Sequence, residues 1–192
     1  MGRLSEAKRS RRSLVTGGVV SVVVAVVDLS TKSAVTRRLG PSADKHDWWL
    51  IEGWLGFAYG RNSGAAFGLF QGNAGLLAAI SVLVAIGFCC LTFAEVHGPV
   101  ARALSAGLLL GGAIGNLVER VRQSYVTDFI AVGPWPRFNV ADSAISVAVV
   151  IFAVAVLFQA RPETGDDGNG SRSRHAATHP NAPDSEQQHE DR

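Results

Sequence analysis

The sequence predicts an all-α integral membrane protein, with four transmembrane helices and a small extracytoplasmic β-sheet and loop region. Three observations carry that expectation. Apolar residues fall in four blocks instead of spreading along the 192 positions, and a bilayer core asks for about 20 consecutive apolar residues. Charged residues, 18% of the chain, crowd the two ends and the connections between blocks. One connection, 37–72, is long and carries aromatic residues and glycines in place of helix formers.

Residues 1–13 are polar and basic, with Arg3, Lys8, Arg9, Arg11 and Arg12. The apolar run from Leu14 to Leu29 follows at once. A basic start before an apolar run also describes a signal peptide. No small-x-small pattern leads into a soluble domain, however, and three more apolar blocks follow. The run is therefore read as an uncleaved first helix, about 14–36, with its basic flank held in the cytoplasm by the positive-inside rule. The outer loop 37–72 contains Trp48, Trp49, Trp54, Phe57 and Tyr59. Such rings favour the headgroup level, and Gly53, Gly56 and Gly60 interrupt any helix. Short strands lying on the membrane surface are expected there.

Helices follow at about 74–94, 101–118 and 140–159. The short connection with His97, Gly98 and Pro99 makes the second and third antiparallel neighbours. Four crossings return the C-terminus to the cytoplasm. Residues 161–192 are rich in Gly, Ser, Asp, Glu, His and Gln without apolar periodicity, so a disordered cytoplasmic tail is expected. His175, His179 and His189 in it are read as solvated, not as metal ligands. The three parts are thus a basic N-terminus 1–13, a membrane domain 14–160 and the tail.

Composition excludes several functions. A net charge of +2 without interleaved aromatic and basic residues gives no nucleic-acid surface. Cys89 and Cys90, the two cysteines, are adjacent in an apolar block and read as packing residues. There is no H-E-x-x-H, C-x-x-C or G-x-S-x-G; neither a metal nor another cofactor is expected.

The polar residues beside the apolar blocks converge. With this topology, Asp28 and Lys32, then Asn116, Glu119 and Arg120, then Asn139 and Asp142 all lie at the outer ends of their helices. Asp128 sits in the loop between the third and fourth helices. Arg61, Asn62 and the glycine-rich stretch 63–68 come from the outer loop. Ionisable groups at membrane segments are costly and mark function by default. Each also has a plainer reading. Asp28 and Lys32, four apart, suit an ion pair on one helix face. Asn139 and Asp142 suit a helix cap with an acidic third position. Arg120 suits snorkelling, and Glu119 an interfacial charge. Ala103, Gly107, Gly111 and Gly115, with Gly112 beside them, form a small-residue stripe for close helix packing. Asn116 and Arg120 continue at helical spacing, placed to hold a carboxylate or a loop backbone. None of these explains Asp128.

Two carboxylates brought close do not both ionise easily, since each raises the other's pKa. Such a pair shares a proton: one member acts as general base on water while its protonated partner polarises a carbonyl. That is the chemistry expected of Asp128 and Asp142.

Five motifs in order sharpen the reading. They are Asp28-Leu29-Ser30-Thr31-Lys32, Arg61-Asn62-Ser63-Gly64-Ala65-Ala66-Phe67-Gly68, Gly111-Gly112-Ala113-Ile114-Gly115-Asn116-Leu117-Val118-Glu119-Arg120, Val126-Thr127-Asp128-Phe129 and Phe138-Asn139-Val140-Ala141-Asp142. Together, from about residue 14 to 160, the chain resembles the lipoprotein signal peptidase (signal peptidase II) family. The resemblance implies a four-helix aspartic peptidase of the bacterial cytoplasmic membrane, active at the extracytoplasmic face. It would cut prolipoproteins before a diacylglyceryl-modified cysteine. It implies Asp128 and Asp142 as the catalytic pair, with Asn62, Gly64, Asn116, Arg120, Asn139 and Ala141 shaping the site and Asp28 and Lys32 as a structural pair. It further implies a small sheet, a mobile extramembrane helix and inhibition by globomycin-type cyclic peptides. The expected partners are diacylglyceryl-prolipoproteins and membrane lipids, and the expected state is a monomer. Leu29 stands where the family commonly has Gln, and Glu119 where Asp is usual; neither is in the dyad. A proton-coupled transporter would spread polar groups through the membrane depth and would favour inverted repeats. A passive scaffold would leave Asp128 without a role.

Overall fold

The computed structural model describes residues 2–44, 47–64 and 72–159, with side chains from Ser10 onward. Helix α1 runs Gly2–Leu39, strands β1 and β2 run Asp47–Ile51 and Leu55–Asn62, and helices α2 and α3 run Ala74–Glu95 and Pro99–Gln123. Strand β3 spans Val126–Val132, and helix α4 spans Val140–Gln159. Positions 161–192, where a disordered tail was expected, lie outside the described residues, as do 65–68 of the glycine-rich stretch. No extramembrane helix occurs among the described residues.

All four helices are long and apolar enough to cross a membrane. Helix α1 is longer than its apolar run because Ala7, Lys8, Arg9, Arg11 and Arg12 are good helix formers and nothing between Gly2 and Ser13 stops them. It ends where Gly40 and Pro41 follow, since a proline disfavours helix in the residue before it; the Gly40 amide closes the last turn on Thr36 O. Helix α3 starts on Pro99, a favoured first-turn residue. It ends at Ser124, which adopts the left-handed conformation and returns its amide to Arg120 O. Its extension past Val118 to Gln123 carries Glu119 and Arg120 out of the apolar block while keeping them on the helix.

Helix α3 is the centre of the bundle: half of its span is buried, against 17% for each of the others. Its small-residue stripe is the cause. A Cβ on Gly107 would lie 2.6 Å from Gly17 O, and one on Gly111 2.6 Å from Ser21 O, so α1 passes backbone to backbone. On another side, a Cβ on Gly112 would lie 2.6 Å from Ala141 O in α4. Shape complementarity of this kind holds helices together where lipid removes the hydrophobic drive. Ala85, Leu109 and Ala148 form the apolar core between α2, α3 and α4.

The strands make one antiparallel sheet, ordered β1–β2–β3. The β1–β2 hairpin turns at Gly53, whose φ of +67° suits glycine. Strand β3 corrects the expectation that Asp128 lies in a loop. Val-Thr-Asp-Phe-Ile-Ala-Val is β-branched and aromatic enough to pair, and it completes the sheet against β2. The sheet packs on α1 and α3, at the end where α1 and α3 finish and α4 begins.

Candidate active site

Two carboxylates reach this junction from different elements. Asp142 comes from the first turn of α4, and its position is set by a reciprocal cap. The Asp142 amide donates to Asn139 Oδ1 at 2.9 Å, and the Asn139 amide donates to Asp142 Oδ2 at 3.3 Å. Asp128 comes from β3 and is 4% exposed. The cap does not exhaust Asn139: because its Oδ1 faces the Asp142 amide, its Nδ2 points the other way and donates to Asp128 Oδ1 at 2.7 Å. The helix cap and the contact with Asp128 are thus made by the two ends of the same side chain.

Two more amides are oriented by the same logic, a donor on one side fixing which end meets a carboxylate. Asn62 Oδ1 accepts from the Gly64 amide at 3.0 Å, so Asn62 Nδ2 donates to Asp128 Oδ2 at 2.9 Å. Asn116 Oδ1 accepts from Lys32 Nζ at 2.7 Å, so Asn116 Nδ2 donates to Asp142 Oδ1 at 2.8 Å. Asn139 Nδ2 also lies 3.3 Å from Asn116 Oδ1, which joins the two halves.

Lys32 and Asp28 lie beneath this layer, 1% and 0% exposed. Their 2.7 Å ion pair is more than an isolated structural pair. Asp28 Oδ1 also accepts the Ala141 amide at 2.8 Å, tying α1 to the start of α4, and Lys32 reaches Asn116. A Cβ on Gly115 would collide with the Asp28 carboxylate, so glycine there makes room for the pair. Ala141, fully buried, contributes its backbone.

Glu119 corrects a second expectation, that of a simple interfacial charge. It accepts from the Thr127 amide at 2.7 Å and the Thr127 hydroxyl at 2.9 Å, and lies 3.5 Å from Lys32. It therefore anchors β3 one residue before Asp128. Thr127 stands in the Val126–Phe129 motif, but the motif gives no sign of its two bonds to Glu119. Arg120 donates to Gly64 O at 3.3 Å and so holds the loop backbone that orients Asn62. Arg61 turns away: it donates to Tyr59 Oη at 3.0 Å and stacks 4.8 Å over Tyr125.

Burial pushes the Asp128 carboxyl up to about 6, and the charge of Asp142 adds to the rise. Hydrogen bonds from Asn62 and Asn139 and the charge of Lys32 pull the other way. One carboxyl is thus biased toward its protonated form beside a second that accepts two hydrogen bonds. Among the described residues, no three His, Cys, Asp or Glu side chains group as metal ligands.

Fold and site together describe an integral membrane protein with two carboxylates, linked through side-chain amides, at one end of its helices. A family model described as signal peptidase (SPase) II matches residues 20–158. The chain is 37% identical over 142 residues to a lipoprotein signal peptidase of Syntrophomonas wolfei, covering 74% of this chain and 93% of that one. It is also 37% identical over 155 residues to one of Rhodococcus jostii, covering 76% and 74%. A bacterial membrane enzyme solved by the in meso method at 2.3 Å superposes with a TM-score of 0.67 at 26% identity, covering 78% of this chain and 92% of that one. The chain belongs to the signal peptidase II family and is an aspartic peptidase of the membrane.

Proposed function

We propose that the protein removes the signal peptides of diacylglyceryl-modified prolipoproteins, cutting on the amino side of the lipidated cysteine, with Asp128 and Asp142 as the catalytic pair. The observation that carries this reading is the set of three side-chain amides, from Asn62, Asn116 and Asn139, each oriented by a separate donor and each directed at one of the two carboxylates.

The cycle starts with the shared proton on Asp128, the member that burial and its neighbour bias upward. Asp142, the general base of the pair, takes a proton from water as the water oxygen attacks the scissile carbonyl. Asp128 donates its proton to the carbonyl oxygen, giving a neutral tetrahedral diol. Collapse returns a proton from that hydroxyl to Asp128, while Asp142 passes its proton to the departing amine of the cysteine. The C–N bond breaks, one water is consumed, and the pair regains its single proton. The oriented amides hold both carboxylates through these transfers without a change of partner, so little reorganisation is needed at the moment of reaction.

The lipid has a physical use. Acyl chains anchor the cysteine at about 0.8 kcal/mol per buried CH₂, which fixes the depth of the scissile bond and confines the search to two dimensions. The site would then face the extracytoplasmic side of the bacterial cytoplasmic membrane. The basic start of α1 and the C-terminus would lie in the cytoplasm, and the chain would act as a monomer. Asn62, Gly64 and Arg120 would shape the substrate-facing edge. Asn116, Asn139, Ala141, Asp28 and Lys32 would hold the pair.

The reading is tested by incubating the purified full chain in detergent with a diacylglyceryl-modified prolipoprotein peptide and its unlipidated twin. Mass spectrometry is expected to find a cut immediately before the cysteine in the lipidated peptide alone. Equal cleavage of both peptides, or of neither, overturns it.

A further inference from the structure

Between the last turns of α1 and the sheet lies a cavity of about 700 Å³ that shares no side chain with the carboxylate network. It falls within the roughly 300–1,000 Å³ of typical small-ligand sites. Its walls are apolar: Ala34, Val35 and Leu39 from α1, and Trp48, Phe57 and Phe129 from the three strands. Consecutive residues of a strand point to opposite faces, so Phe129 turns into this cavity while Asp128 belongs to the other side. Trp48 and Phe57 stack with centroids 5.8 Å apart and planes 5° apart, yet remain 55% and 36% exposed.

The rim is charged with both signs. Arg38 stands at the end of α1, and Asp44 and Asp47 stand on the connection and the first residue of β1. Among the described residues Arg38 forms no ion pair. An apolar trough under a mixed rim, at the end of a membrane-spanning helix, matches a molecule with an acyl chain and a head carrying both charges. A purely anionic head would meet two carboxylates.

We propose that this cavity binds a phosphoethanolamine lipid. One acyl chain lies along Ala34, Val35 and the Trp48–Phe57 stack, the phosphate rests on Arg38, and the ammonium rests on Asp44 and Asp47. The site is separate from the peptidase chemistry and does not depend on it.

The test is fluorescence quenching of the full chain in detergent micelles by phosphatidylethanolamine or phosphatidylglycerol carrying the same brominated acyl chains. The chain has four tryptophans, so the Trp48 signal is the difference between wild type and Trp48→Phe. Quenching of Trp48 is expected at roughly fivefold lower phosphatidylethanolamine than phosphatidylglycerol, the scale of exposed charge pairs. The preference is expected to shrink in Asp44→Asn, which leaves Asp47 alone on the ammonium, and both lipids to weaken in Arg38→Gln. These two positions are exposed, so folding is not at stake. Equal quenching by the two lipids, or affinities unchanged in both variants, reduces the cavity to ordinary boundary lipid contact and overturns the proposal.

Discussion

Replacing Lys32 with Met separates what holds the fold from what positions the carboxylates. Lys32 and Asp28 are 1% and 0% exposed and 2.7 Å apart. Breaking such a buried pair from one side leaves an uncompensated charge and costs about 3–5 kcal/mol, whereas replacing both members is often close to neutral. Lys32→Met alone is therefore expected to lower stability by about that amount. Lys32→Met combined with Asp28→Asn is expected to recover most of it, because the introduced side-chain amide still offers an oxygen to the Ala141 amide. Activity should not follow. Without Lys32, the Asn116 oxygen keeps only the longer 3.3 Å bond from Asn139 Nδ2 to hold it away from Asp142. A charge-assisted hydrogen bond of this kind contributes about 1.5–3 kcal/mol, or roughly ten- to a hundredfold in rate. Thermal unfolding in detergent reads the first effect, and cleavage of a lipidated peptide reads the second. Recovery of both stability and activity in the double variant would refute a positioning role for Lys32. Unchanged stability in Lys32→Met would refute the buried-pair argument.

Further outcomes follow from the same geometry. The Asp128 carboxyl is raised from 3.8 to about 6, so the folded state binds more protons than the unfolded one across that interval, and stability falls as pH rises through it. A shift of this size corresponds to roughly 3 kcal/mol; Asp128→Asn is expected to abolish cleavage, flatten this pH dependence and raise the melting temperature at pH 8. Cleavage by the wild type should decline above about pH 6 as the shared proton is lost, a limb read from the pH–rate profile. Gly112→Ala places a methyl 2.6 Å from Ala141 O, forcing the start of α4 outward; a loss of activity larger than the loss of stability is expected from parallel cleavage and unfolding assays. Glu119→Ala removes both bonds to Thr127 and should cost about 1–3 kcal/mol, with faster hydrogen exchange at β3 amides as the direct readout.

The helices were legible because a membrane-spanning segment must be continuous, apolar and about 20 residues long, and 74–94 and 140–159 meet that demand without help from the rest of the chain. Strand β3 was not legible. Seven residues between two helices satisfy no length rule, and Val126–Val132 becomes a strand only because β2 lies beside it. Glu119 was misread for a related reason: the side chain sits where an interfacial charge would sit, and its bonds to Thr127 depend on where the next element turns. Asn139 shows the opposite case. Its capping pattern was readable, and the cap leaves its amide nitrogen directed at Asp128, which no local pattern records. The glycines of α3 read as a packing stripe, but the clearance that Gly115 gives Asp28 is a property of two helices at once.

The most direct measurement is cleavage of a diacylglyceryl-modified prolipoprotein peptide by Asp128→Asn and Asp142→Asn beside the wild type, in detergent with EDTA throughout, each variant first shown to be folded. The account predicts a wild-type cut before the lipidated cysteine and no detectable cut by either variant. Full activity in either folded variant would contradict the paired-carboxylate mechanism.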